Sequence, residues 1–198
     1  AELDYVPNMA ARALKQSVGS DIGIILPNIS NPFYIQTLQG ISALALESGR
    51  QLILCNSMRE AQAEHALLRS LYERRVAGVI LSSVDESAQV VNTYAARGMP
   101  LVLLDQRLPG AKCSMIHYDT RKGARLAMGH LLEEGHRRIA LATLPLTRWT
   151  RREMLAGYRE ALAEAGIPQD PALILVQEEE RELNNGNADL HAGVALAH

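Results

Sequence analysis

The feature that most constrains this chain is the regular alternation of short apolar runs with longer stretches of helical periodicity, beginning at Asp21. Glycines close the helical stretches and are natural helix stops, at Gly49, Gly98, Gly135 and Gly166. Continuous apolar strands are typical of a parallel sheet that helices cover on both faces. The sequence therefore predicts an α/β fold of doubly wound parallel sheets. The predicted strands are residues 22–26, 52–55, 78–81, 101–104, 139–142 and 173–176.

Composition narrows the class of protein further. The chain has 198 residues, of which 47% are hydrophobic and 21% charged, and its net charge is −2. These values are typical of a soluble globular protein and give no overall attraction to nucleic acid or membrane. The start of the sequence lacks the pattern of a secretory signal, and no apolar run reaches the length of a membrane span, so we expect a cytoplasmic protein. Cys55 and Cys113 lie far apart and are expected to be small buried hydrophobes.

Several motifs in a fixed order carry a resemblance to a known family. The chain begins with YVPNMAARALKQ and DIGIILPNISNPFY, and continues with RRVAGVIL, GMPLVLLD, HLLEEGHRRIA and AGYREALAEAGI. In this order they resemble the LacI/GalR family of transcriptional regulators, and the resemblance covers essentially the whole chain. Most of these motifs are core strands or helix ends in their own right, so their value lies in identifying the fold.

The resemblance implies a two-lobed effector domain like that of periplasmic binding proteins. We expect a hinge helix or linker at residues 1–17, an N-terminal subdomain at 18–120 and part of a C-terminal subdomain at 121–198. The second lobe is expected to be incomplete, because only two strands and a last helix at 187–198 are predicted in it.

The resemblance also implies a function in transcription. A repressor would sense a small polar metabolite, such as a sugar or sugar acid, between the lobes and couple it to binding of operator DNA. In the hinge, Leu14 would wedge into the minor groove, with Asn8 and Arg12 near the groove walls or the backbone. A disordered linker is the alternative for this segment. We expect a homodimer, with the helix at 61–74 and its Leu67, Leu68 and Leu71 in the interface.

Ligands of doubly wound sheets bind beyond the carboxyl ends of the strands, so the candidate site residues lie there. Asp105 follows a strand and can accept hydrogen bonds from sugar hydroxyls, although it could equally cap a turn. Of Phe33 and Tyr34, one could stack on a ligand while the other enters the core. The candidate effector-binding residues are Asn28, Phe33, Tyr34, Asp105, Arg148, Trp149 and Thr150.

The segment 145–157 departs from the family pattern. The resemblance implies that Arg148 and Thr150 reach the effector, and that a further arginine stands where this chain has Met154. The missing arginine removes a bidentate donor, for which Arg148, Arg151 and Arg152 could compensate. A solvated basic helix start is the alternative for the arginines.

The sequence lacks the motifs that are typical of nucleotide-binding proteins, α/β-hydrolases and zinc proteases. The loop after the first strand, PNISNPF, has neither G-x-G-x-x-G nor G-x-x-x-x-G-K, so no phosphate loop is predicted. No G-x-S-x-G or H-E-x-x-H is present, and we expect no enzyme, cofactor or metal site. A periplasmic sugar-binding protein is the other alternative, and the hinge-like YVPN argues against it.

Overall fold

The structure, a computed structural model, describes residues 19–177, and their strands form two parallel sheets. The larger sheet has the order β2-β1-β3-β4-β5, and the smaller pairs β6 with β7. The α/β prediction is therefore confirmed. The strands are β1 Ile22–Leu26, β2 Leu52–Asn56, β3 Gly78–Leu81, β4 Leu101–Leu104, β5 Ser114–Ile116, β6 Leu141–Thr143 and β7 Ile174–Val176. The helices are α1 Pro32–Glu47, α2 Ala61–Glu73, α3 Gln89–Ala96, α4 Thr120–Glu133 and α5 Trp149–Glu164, with a 3-10 helix at Pro171–Leu173.

We refer to residues 22–116 as the five-stranded part and to residues 120–176 as the two-stranded part. The first four strands lie where the apolar runs predict them. β5 was not predicted, since its three residues are all exposed and form no long apolar run. β6 begins at Leu141 rather than at Ile139, because only Leu141 to Thr143 pair with β7. The carbonyl of Ile139 instead accepts a hydrogen bond of 2.8 Å from the Tyr158 hydroxyl.

Local signals explain where the helices begin and end. The side chain of Asn31 caps α1 by accepting from the Phe33 N–H, and Pro32 occupies the first turn. The predicted helix-ending glycines all adopt a left-handed backbone, which glycine reaches without a steric penalty. Their φ values are 64° at Gly49, 85° at Gly98, 88° at Gly135 and 66° at Gly166.

The two faces of the five-stranded sheet have separate cores. Ile24 and Leu26 pack with α1 on one face, while Ile25 packs with α2 and α3 on the other. At Gly23, a Cβ atom would lie 2.5 Å from the Leu71 side chain, so only glycine lets α2 pack this closely on β1. Helices on both faces of a parallel sheet explain why the strands are apolar throughout.

The prediction that Leu68 and Leu71 of the helix at 61–74 lie in a dimer interface was wrong. Leu68 and Leu71 are 0% and 1% exposed and lie in the core of the five-stranded part, and Leu67 packs against that core. An interface needs exposed side chains, so Leu68 and Leu71 cannot contribute to one. Exposed apolar side chains of the five-stranded part include Ile35, Leu44 and Leu46 on α1 and Leu54 on β2.

Both cysteines are free, half-buried and packed against the core, and burial raises the pKa of each thiol. Two of the sequence predictions fall on other parts of the chain. The hinge residues Asn8, Arg12 and Leu14, and the helix predicted at 187–198, lie outside the described residues.

Candidate functional site

A buried polar turn follows β3, at the switch point where the chain order places β1 beside β3. Ser82 and Ser83 are both 0% exposed. The Ser82 Oγ lies 2.9 Å from the Tyr34 hydroxyl of α1. The Ser83 hydroxyl and the Val84 N–H each donate a hydrogen bond of 2.7 Å to the carboxylate of Glu64 on α2. Helices on both faces of the sheet therefore fix the position of this turn.

Glu64 is a buried carboxylate that the sequence analysis did not select. It is 1% exposed, and burial raises its pKa above the ordinary 4.5, while the hydrogen bonds from Ser83 and Val84 offset part of the rise. Its position could have been found from the pattern, because Glu64 shares one helical face with Leu68 and Leu71. An acid within an apolar stripe signals a buried polar contact.

Asp105 lies directly after β4 in a left-handed conformation, with φ at 52°. A non-glycine residue is strained there, and such strain is concentrated at functional sites. Its backbone N–H donates to the carbonyl of Ile116 at 2.7 Å, which holds the residue in place. Burial raises the pKa of Asp105, and nearby Arg148 and His117 oppose the rise. Within residues 19–177, the Asp105 carboxylate forms no hydrogen bond or ion pair.

The start of α5 contacts the five-stranded part at the same edge. Arg148, the residue before the helix, donates from Nη2 to the Ser83 carbonyl at 3.1 Å. The Trp149 ring meets the His117 ring edge to face, with 4.5 Å between centroids. Asp105, His117, Arg148 and Trp149 thus form one polar and aromatic cluster between the two parts of the molecule. His117 was not selected from the sequence, because β5, which it follows, was not predicted.

The other predicted site residues have different surroundings. The Asn28 side chain accepts from the Ser30 N–H at 2.8 Å and shapes the loop after β1. Tyr34 is 4% exposed, whereas Phe33 is half-buried and packs edge to face on Tyr34 and Tyr118. Thr150 is half-buried in the first turn of α5. The structure therefore places Tyr34 in the core and leaves Phe33 nearer the surface.

The arginines that follow Arg148 bond to protein groups. Arg151 donates to the Pro145 carbonyl at 2.9 Å, and Arg152 donates to the Thr147 carbonyl. Arg152 also pairs with Glu86 at 3.2 Å, which adds a further contact between the two parts. These bonds to the Pro145 and Thr147 carbonyls stabilise the loop before α5.

Gln106 is a second residue that the sequence analysis missed. It is 0% exposed, and its Nε2 donates to Glu86 at 3.4 Å. Its Oε1 has no hydrogen-bond partner among the described residues, which is unusual for a buried amide. Gln106 therefore adds a buried acceptor beside Asp105.

The described residues show neither a metal-binding cluster nor a membrane-spanning helix. Among residues 19–177, no cluster of three His, Cys, Asp or Glu side chains is arranged to hold a metal ion. In the same part of the chain, no helix is long and apolar enough to cross a membrane.

Comparison with protein families gives one match that covers most of the chain. Residues 20–187 match the family model described as periplasmic binding proteins and sugar binding domain of LacI family. The chain is 32% identical over 169 residues to the ribose operon repressor of Escherichia coli, covering 84% of this chain and 51% of that protein. It is 29% identical over 167 residues to the transcriptional repressor PurR of Photobacterium profundum, covering 84% and 50%. The chain thus spans about half the length of the curated relatives it matches.

Solved structures give the same result. A periplasmic binding protein/LacI transcriptional regulator from Alkaliphilus metalliredigens, complexed with D-xylulofuranose, is 27% identical with a TM-score of 0.67. The match covers 80% of this chain and 56% of that one. The transcription regulator CcpA of Lactococcus lactis is 22% identical with a TM-score of 0.73, covers 89% and 64%, and shares the fold.

Proposed function

The chain belongs to the family of periplasmic binding proteins and LacI-type sugar-binding domains, and we propose that it is the effector-binding part of a transcriptional repressor. Its effector is a sugar or a related polar metabolite, such as a sugar acid. The named relatives are regulators of transcription, and we assign no catalytic activity to the chain. Residues 1–17, with Asn8, Arg12 and Leu14, are proposed to connect this domain to DNA, and the protein to act as a homodimer.

The observation that carries the proposal is the unpaired carboxylate of Asp105. It is half-buried, yet it makes no hydrogen bond within the described residues. A partly desolvated carboxylate loses some of its hydration, and hydroxyl donors from a ligand would replace it with hydrogen bonds. Sugars offer adjacent hydroxyls that can donate to both carboxylate oxygens. Asp105 is therefore the group around which we place the effector.

The residues around Asp105 are proposed to make the remaining contacts with the effector. Arg148 provides a donor from the two-stranded part, and its bond to Ser83 uses only part of the guanidinium. Phe33 and Trp149 provide aromatic walls of the kind that pack on the apolar face of a sugar ring. Asn28 and Thr150 are proposed to add hydrogen bonds.

The contribution of Tyr34 is indirect. Its ring is buried and its hydroxyl is engaged by Ser82. We therefore assign to Tyr34 the positioning of the polar turn after β3, rather than direct stacking on the effector.

The proposal is tested by finding a ligand and then removing its two charged partners. A thermal-shift screen of sugars, sugar acids and nucleobases identifies a binder, because a ligand stabilises the native state by mass action. Asp105→Asn and Arg148→Ala should each weaken calorimetric affinity for it by about ten- to a hundredfold, or roughly 1.5 to 3 kcal/mol. Arg159→Ala, an exposed change further along α5, is the matched control and should leave affinity unchanged.

Two outcomes would count against the site. Parental affinity in both variants would place the effector elsewhere. Equal losses in Arg159→Ala would show that the effect comes from general charge rather than from the cluster around Asp105.

A further inference from the structure

The amino-terminal edge of the five-stranded sheet, opposite the proposed effector site, has an unusual charge distribution. Each of β2 to β5 has a basic residue among the four residues that precede it. Asp21, before β1, is the one carboxylate in the corresponding positions. The basic edge, as we call it, comprises Arg50, Arg74, Arg75, Arg97 and Lys112.

The carboxyl-terminal edge of the same sheet has mixed charge, because Arg59 follows β2 and Arg107 follows β4 among several carboxylates. Asp85 and Glu86 follow β3, Asp105 follows β4, and Asp119 lies after β5. The amino-terminal edge is therefore the more uniformly positive of the two, and it is distinct from the effector cleft. A net charge of −2 for the chain conceals this local positive field.

The loops of the basic edge enclose two adjoining cavities of about 530 and 700 Å³, which share Met99 and Pro100 in their walls. Arg75 and Arg97 line the first cavity together with Glu73. Arg50 and Lys112 line the second. Basic side chains around an open depression concentrate positive potential there, because the protein walls have a low dielectric constant.

The cations of the edge differ in how they are held. The guanidinium of Arg97 lies 5.8 and 5.6 Å from the ring centroids of Tyr72 and Tyr94, so cation–π contacts orient it. Within residues 19–177, the side chains of Arg75 and Lys112 form no ion pair. Their charge is therefore available to a partner outside this part of the chain.

The path of the chain indicates which partner this is. β1 begins at the basic edge, and the Gly19 N–H donates to the Arg75 carbonyl at 2.8 Å. The segment that precedes Gly19, which our proposed function connects to DNA, therefore joins the domain beside these cations. DNA that this segment binds would lie next to the basic edge.

We propose that the basic edge is an electrostatic contact surface for the phosphate backbone of duplex DNA. This inference rests on the proposed function, but it assigns a DNA-facing role to the effector domain itself. Arg75, Arg97 and Lys112 would add affinity that does not depend on base sequence, because they neutralise phosphates and release condensed counterions. They would also fix the orientation of the domain relative to the duplex.

The test compares two triple variants of the 198-residue chain. The edge variant is Arg75→Gln, Arg97→Gln and Lys112→Gln. The control variant carries the same change of charge at exposed positions on α2, α4 and α5, as Arg69→Gln, Lys122→Gln and Arg159→Gln. Arg12 and Lys15 remain in both variants, so the segment before Gly19 cannot cause a difference between them.

Binding to a labelled duplex is followed by fluorescence anisotropy from about 50 to about 200 mM salt, where counterion release gives a linear dependence of log K on log salt. The edge variant should bind more weakly throughout, with a slope about 2 to 3 smaller in magnitude, since each lost phosphate contact removes about 0.9. The control variant should keep the parental slope. Arg97→Lys, which keeps the charge, should restore about 0.9 of the lost slope when it replaces Arg97→Gln in the edge variant.

Several results would overturn the inference. These are parental slopes in the edge variant, equal changes in the control variant, or no duplex binding by the parent at the lowest salt. Loss of binding to phosphatidylserine vesicles without any change toward DNA would assign the surface to membranes instead. Failure of the proposed function is recognised separately, because it would appear as no effector binding in the thermal-shift screen while the DNA slopes still differ.

Discussion

The five-stranded and two-stranded parts bury their side chains to different depths. Ile24, Leu68, Leu81 and Leu103 of the five-stranded part are all 0% exposed, whereas Tyr158, at 2%, is the most buried residue in the core of the two-stranded part. Five strands with helices on both faces seal their interior from water. Two three-residue strands cover much less, and none of their residues is fully buried. The comparison shows that the depth of burial follows the size of the sheet.

The two-stranded part is stabilised by close packing of its two helices and by salt bridges between them. A Cβ atom on Gly157 would lie 2.3 Å from the Arg121 carbonyl, so α4 and α5 approach each other at a position where only glycine fits. Arg121 pairs with Glu160 between the same helices, and Arg125 pairs with Glu164 at 2.9 Å. One part is therefore held mainly by a sealed apolar core, and the other mainly by the contact between two helices.

The largest expected effect tests the sealed core. Leu68→Ala removes a fully buried side chain between α2 and the sheet and should lower the free energy of unfolding by about 2 to 5 kcal/mol. Urea unfolding followed by circular dichroism measures this loss. Leu44→Ala on α1 is the matched control, because Leu44 is 66% exposed and its truncation leaves no cavity. Similar losses in both variants would contradict the contrast in burial.

The second-largest expected effect tests the packing between α4 and α5. Gly157→Ala forces backbone atoms apart and should cost about 1 to 3 kcal/mol, with faster amide exchange confined to α4 and α5. Gly129→Ala on α4 is the control, since a Cβ atom there meets nothing within 4 Å. Alanine at that position should be neutral or stabilising, as expected for an open helical site. Faster exchange in β1 or α2 of the Gly157 variant would show that the two parts share one core.

The smallest expected effect is the pH dependence of stability that comes from one glutamate in each part, Glu64 and Glu160. The pKa of Glu64 is raised by burial, so the native state holds its proton more tightly and its contribution to stability falls as pH rises above 4.5. The pKa of Glu160 is lowered by its hydrogen bond to Arg121, so its contribution is present above 4.5 and is lost as pH falls.

Urea unfolding of Glu64→Gln and Glu160→Gln between about pH 3 and 7, a range that extends to both sides of the ordinary carboxyl pKa, measures both contributions. The parent should lose stability relative to the Glu64 variant as pH rises, and should gain relative to the Glu160 variant. The Glu160 difference should shrink in high salt, because the pair is exposed. If the stability difference changed with pH in the same direction for both glutamates, this contrast between the two parts would be contradicted.

The loops that form the candidate site could be predicted from the sequence, but the hydrogen bonds within it could not. The apolar runs of β1, β3 and β4 predicted which loops lie at the carboxyl edge, and Asp105 and Arg148 were selected there. The bond from Arg148 to the Ser83 carbonyl could not be predicted, because 65 residues separate them and a backbone acceptor leaves no trace in the sequence. His117 was missed because a strand of three exposed residues has no recognisable pattern.

The sequence by itself determined the elements whose signals are local: the apolar strands of a covered parallel sheet, the helix-ending glycines, and the Asn31 and Pro32 start of α1. Only the tertiary structure decided which apolar faces were sealed. Leu67, Leu68 and Leu71 carry the pattern of an interface as well as that of a core, and packing on β1 at Gly23 placed them in the core. It likewise buried Tyr34 rather than Phe33 and paired Glu64 with Ser83. The physical reason is that burial and hydrogen bonding depend on residues distant in the chain, whereas strand and helix signals depend on neighbours.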